Sequence, residues 1–98
     1  MKIDKKKTGS ELCITLTGRL DTNTAPELEN VVQGSISGIT SLTFDFEKLD
    51  YISSAGLRVL LSAQKTMNDR GSMKIVHVNE TIMEIFEVTG FVDILTIK

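Results

Sequence analysis

Leu49-Asp50-Tyr51-Ile52-Ser53-Ser54-Ala55-Gly56-Leu57-Arg58-Val59-Leu60-Leu61 is the stretch that decides how this chain folds. An apolar run ends at Ile52, two hydroxyls follow, and a strongly helical segment begins. A serine pair ahead of an apolar-periodic run reads as a helix N-cap, because a side-chain oxygen can take an amide N–H that the first turn leaves unpaired. That hydroxyl stands at the positive end of the helix dipole, where added negative charge is best tolerated. The pattern predicts a helix from about Ala55 to Arg70. Projected at about 100° per residue, it sets Gly56, Leu57, Leu60, Leu61, Ala63 and Met67 on the core face. Arg58, Ser62, Lys65 and Asp69 fall on the opposite face, with Ala55 and Val59 between. Gly56 weakens the helix by roughly 1 kcal/mol against alanine, so its presence implies a close backbone approach, to the sheet or to a partner.

Working outward, Ser41 to Phe46 alternates Leu42, Phe44 and Phe46 with Thr43 and Asp45, the pattern of a strand. Glu47 to Ile52 then reads as a connection, with Leu49 and Ile52 tucked beneath it. Upstream, Leu12, Ile14 and Leu16 alternate with Cys13, Thr15 and Thr17, and Lys2 to Lys7 offers a weaker strand across the Thr8-Gly9-Ser10 turn. Thr24-Ala25-Pro26-Glu27 has capping-box spacing before Leu28, Val31, Val32 and Ile36, the stripe of a first helix. Downstream, Met73 to Val78 is apolar enough to lie centrally in the sheet. Asn79 caps a third helix carrying Ile82, Met83, Ile85, Phe86 and Val88, which Gly90 stops, leaving Phe91 to pack back. Ile94 to Ile97 reads as a last strand. The predicted fold is therefore a single α/β domain over residues 1–98, β-β-α-β-α-β-α-β, with a mixed sheet and its helices mainly on one face.

The composition narrows the function classes. No apolar run reaches 18 residues, and the basic start Met1-Lys2-Ile3-Asp4-Lys5-Lys6-Lys7 lacks the apolar segment of a secretory signal, so a cytoplasmic address is expected. A net charge of −2 gives no broad electrostatic reason to bind nucleic acid or an anionic membrane. One cysteine, Cys13, and one histidine, His77, make neither an internal disulfide nor an ordinary structural zinc site. No metal or cofactor is expected, since the carboxylates are scattered and neither a P-loop nor a dinucleotide fingerprint occurs. A serine hydrolase would need a base within reach and an oxyanion hole. Ser53-Ser54-Ala55-Gly56 lacks the nucleophile elbow, and His77 reads as a structural residue within a strand, so no catalytic residue is assigned.

Ile52-Ser53-Ser54-Ala55-Gly56-Leu57, together with Gly18-Arg19-Leu20-Asp21 upstream, resembles a STAS domain of the bacterial anti-sigma factor antagonist family, in order and length over nearly the whole chain. In that family the serine just before the small-residue-Gly-Leu step is phosphorylated by the partner anti-sigma factor, a serine kinase. The corresponding residue is Ser54. The resemblance also implies that the loop Asp21-Thr22-Asn23 touches the partner together with Ser53, Ser54, Ala55, Gly56 and Arg58. Asp21 alternatively reads as a loop residue bonding nearby amides. A serine phosphatase would reset the switch, and ATP and magnesium would belong to the kinase. The alternative is a sensory or scaffold STAS module that binds a small apolar ligand or other STAS proteins without a phosphorylation cycle.

Overall fold

Alternating apolar and hydroxyl-bearing residues build the sheet, as their period of two requires. A computed structural model describes residues 1–98. Its elements are β1 (Lys2–Thr8), β2 (Glu11–Leu20), α1 (Ala25–Ser35), β3 (Ser41–Ile52), α2 (Ser54–Arg70), β4 (Ser72–Val76) and α3 (Glu80–Thr89). A 3-10 turn follows at Phe91–Asp93. The strands lie side by side in the order β1-β2-β3-β4. The β1–β2 pair is antiparallel, and β2–β3 and β3–β4 are parallel.

Leu12, Ile14 and Leu16 of β2, Leu42, Phe44 and Phe46 of β3, and Met73 and Ile75 of β4 are buried beneath the helices. Their alternates Cys13, Thr15, Thr17, Thr43 and Asp45 are only half-buried, so the opposite face of the sheet carries no helix. Leu28 and Val32 of α1, Leu57, Leu60, Ala63 and Met67 of α2, and Ile82 and Phe86 of α3 complete one continuous apolar core.

Several details differ from the sequence pattern. β3 does not stop at Phe46 but runs on to Ile52 through two irregularities in its pairing with β2. The strand direction survives where the alternation breaks, because a bulge inserts a residue without ending the ladder. β4 is the last strand of the sheet and not a central one; it ends at Val76, and the expected final strand beside it is reduced to one bridge, Ile75 to Ile97. His77 is therefore outside the strand, exposed, with φ +59°. On α2, Leu61 is only half-buried while Gln64 is buried. On α3, Val88 is 82% exposed, because only the Ile82–Phe86 side faces the sheet. Phe91 does pack against the core, as expected for the apolar residue after Gly90.

The capping box at Thr24 does not form. Thr24 precedes α1 but makes no side-chain cap bond. Its hydroxyl faces backwards instead, donating to Arg19 O at 2.9 Å and accepting from Asp21 N–H at 2.8 Å. Thr24 thus fastens the loop to the end of β2 instead of fastening the helix.

Candidate functional site

The ends of β2 and β3 carry the site, because parallel neighbours deliver their following loops to the same edge of a sheet. Leu20 pairs with Ile52, and the N–H of Ser53 donates to Leu20 O at 2.8 Å. The Asp21 loop and the serine pair are joined by that bond.

Ser53 is the N-cap of α2, with an extended backbone and its Oγ accepting from Gly56 N–H at 3.4 Å. Ser54 is the first helical residue and is exposed. The assignment separates two jobs. Ser53 holds the helix terminus, and the Ser54 hydroxyl has no partner in the chain. The amides of Ser54 and Ala55 are also unpaired within the chain, as the first turn of a helix requires. An unengaged hydroxyl beside free N–H groups at a positive dipole end can accept an anionic group with little local disturbance.

Gly56 is buried, which settles the direction of its close approach. A Cβ there would lie 2.6 Å from Leu20 Cγ and 2.9 Å from Ile52 Cγ1. The helix start is therefore seated directly on the last residues of β2 and β3. Gly56 is itself covered, so its part is to place Ser54 and Ala55 and not to present a surface of its own.

Asp21 is tied into its own loop. Its Oδ1 accepts from Asn23 N–H at 3.0 Å and from Thr24 N–H at 3.1 Å, and lies 3.2 Å from the Thr24 hydroxyl. The Thr24 amide holds the carboxyl below its ordinary range, assisted by Asn23 and by Arg19 and opposed by partial burial. The structural reading of Asp21 thus holds, and Thr22 and Asn23 beside it are exposed. Thr22, Ala55 and Arg58 also line a groove of about 340 Å³ between α1 and α2, with Ala25, Pro26, Glu29, Val59 and Ser62. The expected site residues thus converge on one edge of the molecule.

Two features escaped the sequence, one of them at this edge. The Arg19 guanidinium lies over the Tyr51 ring, 4.4 Å from its centroid. Arg19 and Tyr51 are also paired across β2 and β3. Elsewhere, His77 Nδ1 lies 2.9 Å from Asp45 Oδ1. That contact raises the histidine's pKa above 6.5. Burial pushes Asp45 up, but the bonds from His77 and from the Glu47 amide outweigh it, so its carboxyl lies below the usual range. Asp45, Glu47 and His77 offer ligand atoms within 4.8 Å of one another, a grouping that linear spacing conceals. His77 lies well back along β3 from the serines and has no hydroxyl partner, so it forms no catalytic pair with Ser54.

The STAS domain model matches residues 2–98. The chain belongs to the STAS domain family. BtrV of Bordetella bronchiseptica, provisionally named as an anti-sigma factor antagonist, is 31% identical to it over 99% of this chain and 85% of its own length. The anti-sigma-B factor antagonist of Bacillus subtilis is 24% identical over 100% of this chain and 91% of its own. Among solved structures, the anti-sigma factor antagonist SpoIIAA in its unphosphorylated form superposes with a TM-score of 0.79 at 17% identity, covering 99% of this chain and 87% of that one. Its phosphorylated form, from Bacillus, gives 0.78 at 18% identity, covering 99% and 91%. This STAS domain thus has anti-sigma factor antagonists as relatives and shares the SpoIIAA fold. No helix in it is long and apolar enough to cross a membrane.

Proposed function

We propose that this STAS domain is a cytoplasmic anti-sigma factor antagonist, switched by phosphorylation of Ser54. The observation that carries the reading is the exposed, unpartnered Ser54 hydroxyl at the start of α2, beside the Asp21 loop. Unmodified, the surface of Asp21, Thr22, Asn23, Ser53, Ser54, Ala55 and Arg58 binds an anti-sigma factor serine kinase, and the sigma factor is freed. The kinase supplies ATP and magnesium. The Ser54 oxygen bonds to the γ-phosphorus, the bond to ADP breaks, and the hydroxyl proton passes to a base on the kinase. A serine phosphatase hydrolyses the ester and restores the binding form.

The physics of the switch follows from where the charge lands. Phosphorylation adds roughly −1.5 to −2 charges at neutral pH. In the free protein, water and the α2 terminus absorb this, the terminus contributing about 0.3 to 2 kcal/mol. The near-equal likeness of the chain to both forms of SpoIIAA supports a fold that tolerates the modification. In the complex the phosphate is stripped of water, and an unmatched buried charge costs several kcal/mol. A penalty of about 3 to 4 kcal/mol weakens binding roughly 100- to 1000-fold.

The test measures affinity for the anti-sigma factor kinase of the same organism with wild type, Ser54→Ala and Ser54→Asp. Ser54→Ala is expected to bind near wild-type strength and resist phosphorylation. Ser54→Asp is expected to lose most of its affinity while remaining folded. Tight binding by a folded Ser54→Asp would overturn the charge mechanism.

A further inference from the structure

The Arg19–Tyr51 stack lies outside the buried core. Both side chains stand on the helix-free side of the sheet, while their strand neighbours Leu20 and Ile52 are buried. The second pairing irregularity brings them together. β3 inserts Asp50 opposite the step from Gly18 to Arg19, so that Gly18 pairs with Leu49 but Arg19 with Tyr51. Without the extra residue, Arg19 would face an aspartate.

The guanidinium is held yet unsatisfied. The Arg19 guanidinium makes no hydrogen bond within the chain, and its charge contact with Asp21 is long, Nε to Oδ2 at 3.9 Å, with the arginine side chain 61% exposed. Asp21 directs its other oxygen into its own loop. By contrast, Arg70 donates to Ile36 O, and Arg58 has no aromatic support. Arg19 is thus a planar array of donors held over a ring, adjoining both Asp21 and, through the Leu20–Ser53 bond, the serine pair. Lys48, paired with Thr17 nearby, adds positive charge to this side. A guanidinium preorganised on an aromatic face loses little freedom on meeting a carboxylate and matches its two oxygens. Arginine and tyrosine are enriched among the few residues that carry most of an interface's binding energy, and preorganisation lowers the cost of using them.

We infer that the Arg19–Tyr51 stack is a second anchor of the partner surface, taking a carboxylate of the anti-sigma factor and helping to decide which anti-sigma factor is accepted. This rests on the partner-switching reading above and extends its footprint from the α1–α2 groove around to the sheet side of Ser54.

The experiment compares unphosphorylated wild type, Arg19→Gln, Arg19→Lys, Tyr51→Leu and the Arg19→Gln/Tyr51→Leu double variant for affinity to that organism's anti-sigma factor kinase, at two salt concentrations, with Ser54→Asp alongside. Arg19→Gln is expected to weaken binding about 10- to 100-fold and to reduce its salt dependence. Arg19→Lys recovers only part of the loss, because it restores charge without the planar fork. Tyr51→Leu costs several-fold alone and nothing further in the Arg19→Gln background. Thermal melting of each variant near wild type shows that the fold is kept. Wild-type affinity and salt dependence in Arg19→Gln, while Ser54→Asp fails to bind, overturns the anchor and leaves the switch intact. Tight binding by Ser54→Asp together with a loss in Arg19→Gln supports the anchor while refuting the switch. Absence of binding by wild type to any such kinase overturns both.

Discussion

The starts of α2 and α3 are built from the same parts for different ends. Asn79 caps α3 with its Oδ1 2.9 Å from Ile82 N–H, and its Nδ2 donates to Leu49 O at 2.9 Å, so one side chain closes the helix and pins it to β3. Ser53 caps α2 at 3.4 Å, near the limit of a hydrogen bond. What holds the α2 start in place is the seat of Gly56 on Leu20 and Ile52 and the bond from Ser53 N–H to Leu20 O. The α3 terminus is secured by side-chain polar groups, whereas the α2 terminus is secured by backbone, leaving the Ser54 side chain free. Under the proposed phosphorylation switch, a terminus that carries an interchangeable charge is better fixed from below than by the side chain that would be modified.

Three measurements test that contrast. Gly56→Ala should act most strongly, lowering stability by about 1 to 3 kcal/mol, because the new methyl must displace Leu20 or Ile52 in a packed core. If denaturant unfolding instead shows a gain from the improved helix propensity, the seat is not what holds α2. Next, Asn79→Ala should cost about 1 to 2 kcal/mol, and Ser53→Ala only about 0.5 kcal/mol, at the low end of the range for cap removal. Equal losses would mean that the two termini rely on their caps alike.

The smallest effects separate the termini by pH. His77, two residues before Asn79, has a pKa raised by Asp45, so its contribution to stability is complete below 6.5 and disappears as pH rises through the folded value. Asp45 and Asp21 have lowered values, so their contributions are present above 3.8 and vanish as pH falls through the folded values. Melting followed against pH should therefore show a slight alkaline loss that His77→Gln abolishes. It should also show an acid loss that Asp21→Asn reduces. A His77→Gln profile identical to wild type above 6.5 would remove the ion pair from the account.

Much of this was legible in the sequence because the relevant signals are local. Alternation located β2 and the first half of β3, and the 3.6-residue period located the helices. The serine pair and the Asp21 loop were visible as a hydroxyl cap and a polar turn. What was hidden depends on register. Glu47, Lys48 and Asp50 break the alternation of β3, so its second half resembled a loop, although the ladder tolerates the inserted residues. The same insertion creates the Arg19–Tyr51 stack, whose members are far apart in sequence. His77 followed Ile75 and Val76 and looked like part of the strand until the backbone turned to positive φ to meet Asp45. Thr24 had the composition of a cap, but its hydroxyl oxygen accepts from Asp21 N–H while donating to Arg19 O, so it is turned away from the α1 amides.

The 2.8 Å link between Ser53 N–H and Leu20 O has a mechanical consequence. It rivets two segments that are distant in the chain, so a pull on either is transmitted to the other. In the switch proposed above, a protein gripping the Asp21 turn would therefore also steady the Ser54 oxygen, and grasp and chemistry would become one coordinated act.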